Sequence, residues 1–115
     1  MQVYRGIVQK GKRRGTALGF PTLNIPLAGA EVSGVYAAKV IVSGKEYQAA
    51  AFANPEQNVL EAHLLDFSGD LYGKNVEIEL FERVRNSMSF SDDSVLRAVI
   101  LDDIRRVRAL HSSRV

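Results

Sequence analysis

The chain has no cysteine and no tryptophan, two histidines, three prolines and a formal charge of only +2 across 115 residues. Without cysteine there are no disulfide staples, no thiolate metal ligands and no cysteine nucleophile. Two histidines argue against a structural zinc site or a multi-histidine centre. No apolar run reaches the ~18–20 residues needed to span a bilayer. The opening Met1-Gln2-Val3-Tyr4-Arg5-Gly6 lacks a basic stretch followed by an apolar core. No export signal or membrane contact is therefore expected, and the cytoplasm is the expected compartment. A balance of 15 basic against 13 acidic residues is too even to argue for nucleic acid, so any polyanion bound here is small and held locally. What is present, 46% apolar and 24% charged residues, is the composition of an ordinary globular chain. The length suits one domain, residues 1–115.

Short strands broken by glycine turns fill the first two-thirds. Val3 to Gln9 is rich in β-formers and runs into the basic loop Lys10-Gly11-Lys12-Arg13-Arg14-Gly15. Gly19-Phe20-Pro21 stops any helix, because proline confines itself and its predecessor to extended shapes. Val35 to Val42 alternates, with Tyr36, Ala38, Val40 and Val42 on one face. Ser43-Gly44-Lys45 then signals a hairpin into Glu46 to Phe52. Val59 to Asp66 places Leu60, Ala62 and Leu64 on one face, with Glu61 and His63 on the other. Asn75 to Glu82 points Val76, Ile78 and Leu80 inward. Only the C-terminus reads as helical: Ser91 is the expected N-cap, Asp92 and Asp93 suit the positive end of the dipole, and Leu96, Val99, Ile100, Ile104, Val107 and Leu110 form an amphipathic stripe. Several strands and one closing helix predict an antiparallel barrel capped by that helix.

The stretch Gly6 to Lys12 matches seven positions of the P-loop pattern, but Arg13 stands where serine or threonine should meet magnesium. The first glycine lies inside a predicted strand and no helix follows, so that reading is rejected. The segment Gly15 to Asn24 carries more. Its glycines let backbone amides approach an anion, and Lys10, Lys12, Arg13 and Arg14 supply positive potential. Thr22 and Asn24, two apart in extended chain, turn their oxygens the same way as hard ligands suited to magnesium. A basic surface loop followed by an ordinary turn accounts for the same residues more plainly. Glu61 on its strand face is a candidate proton acceptor, with His63 beside it to help or to orient it; a solvated strand face is the simpler account. Asp66 and Asp70 read as turn residues. Arg85 and Phe90, between the last strand and the helix, could meet a phosphate or a planar ring, or stand as loop residues.

In their order along the chain these segments resemble the riboflavin kinase family, including the kinase module of bacterial bifunctional FAD synthetases. The resemblance is carried by Gly6-Ile7-Val8 with the loop after it, Leu18-Gly19-Phe20-Pro21-Thr22-Leu23-Asn24, Ser33-Gly34-Val35-Tyr36-Ala37, Leu60-Glu61-Ala62-His63-Leu64-Leu65-Asp66-Phe67, Asp70-Leu71-Tyr72-Gly73, and Val84-Arg85 with Phe90. It implies a mainly β fold, a six-stranded antiparallel, Greek-key-like barrel with a C-terminal α-helix. It also implies transfer of the terminal phosphoryl of ATP to the 5′-hydroxyl of riboflavin, giving FMN and ADP. Carried over by position, Glu61 is the general base, and Thr22 and Asn24 hold Mg²⁺, with Zn²⁺ or Mn²⁺ left open. Gly11, Lys12, Gly15, Gly19, Pro21, Thr22 and Asn24 meet the nucleotide, while Arg85 and Phe90 cover the flavin. Thr16 departs from the family's usual arginine, Leu23 from its alanine, and Ala51 to Asn58 is short and lacks the usual Asn-Ile-Gly…Pro-Thr stretch. That segment keeps open a module that binds flavin or nucleotide without turnover. A nucleic-acid-binding barrel using Lys10 to Arg14 ranks last, with no tryptophan and so little net charge. The expected partners are riboflavin or FMN and ATP or ADP. The expected state is a monomer, fused to or working beside an FMN adenylyltransferase; FAD synthesis by this stretch alone is not expected.

Overall fold

The computed structural model describes residues 2–10, 18–27 and 32–113. Six strands, β1 (Gln2–Ile7), β2 (Leu23–Pro26), β3 (Gly34–Val42), β4 (Lys45–Asn54), β5 (Val59–Leu64) and β6 (Asn75–Arg85), precede one helix, α1 (Asp93–Ser113). The strands form a single antiparallel sheet in the order β1-β6-β3-β4-β5-β2. Its edges nearly meet. The Gln9 amide donates to the Asn24 carbonyl at 2.8 Å, and a Cβ added at Gly6 would stand 3.1 Å from the Cβ of Ile25. A glycine is what lets β1 approach β2 so closely. The sheet thus curls into the barrel that the alternating strands predict.

The hairpin between β3 and β4 follows its sequence signal. Val42 pairs with Lys45 across a two-residue loop, and Ser43 and Gly44 have φ of 52° and 78°, the positive pair that a type I′ turn requires. Gly34 has φ of 103°, and a Cβ there would sit 2.5 Å from the Arg85 carbonyl oxygen; no other residue fits this entry into β3 beside β6. The register of β3 on β6 shifts twice, at Val35/Tyr36 and Ala37/Ala38, bending the eleven-residue β6 so that it serves both β1 and β3.

Leu60, Ala62 and Leu64 of β5 and Val76, Ile78 and Leu80 of β6 point into the barrel, as their period-two pattern predicts, and meet Ile25, Val40 and Ala51 there. A second cluster lies outside the barrel wall, where Ala37, Ala50 and Leu65 pack under Val107 of α1. This explains Ala49-Ala50-Ala51: both faces of β4 are buried here, and small side chains let the helix lie close.

Several boundaries differ from the sequence-based expectation: β3 starts at Gly34, β4 runs from Lys45 to Asn54, and β6 continues past Glu82 to Arg85, which is therefore the last strand residue and not part of the connection to the helix. β1 stops at Ile7 and Gln9 forms only an isolated bridge. β5 ends at Leu64, because Asp66 adopts φ of 56°. The helix is capped not by Ser91 but by Asp92, whose Oδ1 accepts the Ser94 amide at 2.8 Å. An aspartate one residue nearer the helix outcompetes the serine for the orphan amide. Among the described residues, no helix is long and apolar enough to cross a membrane.

Candidate active site

The proposed chemistry-bearing side chains come from two strands that sequence distance separates and sheet pairing joins. β2 pairs antiparallel with β5, and the register sets Asn24 opposite Glu61. Side chains directly opposite on a ladder share a face, so Thr22, two residues before Asn24, approaches Glu61 diagonally. The Thr22 Oγ1 hydroxyl donates to Glu61 Oε1 at 3.0 Å. Asn24 is buried, at 7% exposure, while Thr22 and Glu61 are half-buried. Burial pushes the Glu61 carboxyl above the usual carboxylate range, and the Thr22 hydrogen bond pulls it back part of the way. The arrangement is a partly desolvated carboxylate beside a hydroxyl and an amide, three hard oxygen-bearing groups within one patch of barrel wall.

Proline shapes the approach to this patch. Gly19 turns the chain at φ of 94°, Phe20 is buried, and Pro21, with no N–H of its own, precedes the first ladder pair. His63 lies two residues from Glu61 on the same strand face. Its Nδ1 does not address Glu61: it lies 2.7 Å from the Pro21 carbonyl oxygen. Of the proposed nucleotide-contacting residues, Gly19, Pro21, Thr22 and Asn24 thus gather along one entry into β2. Gly11, Lys12 and Gly15 lie outside the described residues, as does most of the basic loop. Lys10 at its start carries its ammonium 5.2 Å above the ring of Tyr72. Asp70 behaves as a turn residue, accepting the Tyr72 amide at 2.8 Å.

Arg85 ends β6, in the same row across the sheet as Val35, Phe52 and Glu61, and its guanidinium stands 5.9 Å over the ring of Phe90, which follows the strand. Sequence reasoning missed the partner of Arg85. Its Nε and Nη2 donate to the two carboxylate oxygens of Asp103 at 2.8 and 2.9 Å, and Asp103 is 1% exposed. Asp103 stands between Ile100 and Val107 in the apolar stripe of α1; a carboxylate in such a stripe, opposite an arginine at a strand end, is the signal that would have found it. A concavity of about 530 Å³ opens beside this ion pair, lined by Val95, Val99, Asp102 and Arg106 among others. Glu61, Thr22 and Asn24 do not line it. The segment Ala51 to Asn58 closes compactly: a 3₁₀ turn at Pro55–Gln57 is capped by the Asn54 side chain, which accepts the Gln57 amide, and Asn58 completes it at φ of 53°.

A family model for riboflavin kinase, the flavokinase domain, matches residues 2–111. The chain is 35% identical over 117 residues to the bifunctional riboflavin kinase/FMN adenylyltransferase of Haemophilus influenzae, an alignment covering 94% of this chain and 38% of that protein. The protein of the same name in Bacillus subtilis is 34% identical over 99 residues. Among solved structures, riboflavin kinase from Trypanosoma brucei superposes with a TM-score of 0.65 at 28% identity, over 94% of this chain and 78% of that one. A macrolide-efflux protein from Streptococcus pneumoniae gives a TM-score of 0.80 at 27% identity, over 92% of this chain and 38% of that one. The chain spans about a third of the length of the bifunctional relatives. The matched segment runs from the first strand into the last turns of α1, and the chain belongs to the riboflavin kinase family.

Proposed function

We propose that this chain is a kinase domain that transfers the γ-phosphoryl group of ATP to the ribityl 5′-hydroxyl of riboflavin, releasing FMN and ADP. The observation that carries the reading is the 3.0 Å hydrogen bond from Thr22 to Glu61, with Asn24 in register opposite the same carboxylate. Glu61 Oε accepts the hydroxyl proton as the oxygen attacks the γ-phosphorus, and the bond to the bridging oxygen of ADP breaks. A carboxyl held above its ordinary range suits that role, since the best general base titrates nearer the working pH. Positioning and charge neutralisation supply most of the rate in phosphoryl transfer, so the geometry of the β2 entry matters as much as the base.

The donor set fits a hard divalent cation. Thr22 and Asn24 present oxygen, and no group of three His, Asp or Glu side chains gathers among the described residues. Mg²⁺ suits such a site because it keeps waters and substrate phosphates in its shell rather than needing an all-protein cage. Bound there, it would neutralise charge on the nucleotide phosphates; Mn²⁺ shares the preference for oxygen, and Zn²⁺ is less favoured by these donors. Arg85, at the C-terminal end of β6, and Phe90 just after it would flank the flavin. An FMN adenylyltransferase, which the names of the bifunctional relatives include, is the proposed neighbour or fusion partner.

Incubation with riboflavin, ATP and Mg²⁺, followed by chromatography for FMN, tests the reading. Thr22→Ala should weaken nucleotide binding in a magnesium titration, and unchanged affinity would remove Thr22 from the metal site. A second reading, a module that binds flavin or nucleotide without turnover, is favoured by the compact 3₁₀ closure of segment 51–58. Tight flavin binding without product would select it.

A further inference from the structure

We propose that His63 is a positioning residue: as its Nδ1–H tautomer it donates a hydrogen bond to the Pro21 carbonyl and so holds the Thr22 hydroxyl at Glu61. The inference rests on the kinase reading for its kinetic consequences, but its structural content stands apart. The β2–β5 ladder begins at Leu23 with Ala62; carried one step further, its register sets Thr22 against His63. The ladder pairs stop short of that step, and Pro21 has no N–H with which to carry the ladder further. The His63 side chain takes over at that point, with Nδ1 2.7 Å from the Pro21 oxygen. A carbonyl oxygen can only accept, so in the neutral ring the proton sits on Nδ1 and Nε2 is bare.

This bond fixes more than one atom. The Pro21 carbonyl belongs to the planar peptide unit that includes the Thr22 nitrogen, and the pyrrolidine ring already fixes φ of Pro21. Anchoring the oxygen therefore sets the direction from which the chain enters Thr22, and with it where Oγ1 falls relative to Glu61. The imidazole is itself held. Phe20 packs perpendicular to it with ring centroids 5.9 Å apart, and the Arg97 guanidinium of α1 lies 5.7 Å over that same Phe20 ring. The helix thereby backs the turn that delivers Thr22.

Three variants and one spectrum decide it. His63→Phe keeps the ring against Phe20 but removes the donor. It should lower kcat/KM for Mg-ATP by on the order of 10- to 100-fold, the usual cost of losing a residue that orients a ligand, with the riboflavin KM little changed. His63→Asn places an amide N–H near the position of Nδ1 and should recover most of that loss. His63→Gln, whose amide lies one methylene further out, should not. Long-range ¹H–¹⁵N spectra of the wild-type imidazole, assigned by comparison with His63→Phe, should show a protonated Nδ1 and a bare Nε2. An Nε2–H tautomer overturns the proposal, as does an Asn variant no better than Phe when thermal unfolding finds both folded. Loss of riboflavin and Mg-ATP affinity to the same extent would also overturn it, by indicating a merely structural residue. A wild-type chain that forms no FMN would bring down the kinase reading alone, and the tautomer would still decide for or against the bond.

Discussion

The ion pair between Arg85 and Asp103 offers a test of how the helix is fastened to the barrel. Asp103 is 1% exposed and the Arg85 side chain 17% exposed, and two charge-assisted hydrogen bonds at 2.8 and 2.9 Å join them. Replacing Asp103 with alanine strands the guanidinium, which retains the Asn86 carbonyl at 3.0 Å. Removing one partner of a buried pair costs about 3–5 kcal/mol. Because Arg85 keeps a path to solvent, the low end applies, about 3 kcal/mol, or a fall in Tm of roughly 10 °C for a chain of this size. Asp103→Asn, which keeps one acceptor oxygen, should cost about half as much. The double variant Arg85→Met with Asp103→Leu replaces both charges by apolar groups of similar length, and should lie within about 1 kcal/mol of wild type. Urea unfolding followed by circular dichroism, read at constant m-value, measures all three. If Asp103→Ala loses less than about 1 kcal/mol, or if the double variant is as damaged as the single, the cost at this end of α1 does not come from a stranded buried charge.

Four further outcomes are expected. Glu61→Gln should slow turnover by ~10²–10⁴-fold, the span of general-base contributions, while the Thr22 hydroxyl keeps an acceptor and Mg-ATP affinity persists. In wild type the rate should fall as pH drops through the raised Glu61 value, since only the ionised carboxylate accepts a proton; a profile flat on its acid side would count against the role. Asp66 is held below the usual carboxylate range first by its hydrogen bonds from Arg108 and then by that residue's charge. Its contribution is therefore present above the ordinary carboxylate value and lost as pH falls through the depressed one, so in thermal unfolding Asp66→Asn should be less stable than wild type at neutral pH and match it in strong acid. Gly34→Ala should cost roughly 2–4 kcal/mol, from an unfavourable φ and a Cβ driven against the Arg85 carbonyl oxygen; a stable variant would mean that β3 and β6 separate there at little cost.

Local chemistry was enough to read much of this chain. The alternation in β3, β5 and β6 and the Ser43-Gly44 turn predict the strands and one hairpin, because side-chain direction and backbone φ are decided by immediate neighbours. The helix stripe predicts α1 for the same reason, although it was blind to Asp103, whose burial depends on an arginine eighteen residues away. Residue types and their order brought Thr22, Asn24 and Glu61 forward as candidates. Only the fold could bring Thr22 within 3.0 Å of Glu61, 39 residues apart, because that meeting depends on the register of β2 on β5, which a one-residue slip would reverse. The same holds for His63, which beside Glu61 looks like its helper and turns instead to Pro21. Ala49-Ala50-Ala51 carries no period at all; it took a helix on one side and a barrel interior on the other to give those small side chains their purpose. Periodicity is written along the chain, whereas contacts across a sheet are decided by pairing, and pairing is a property of the whole barrel.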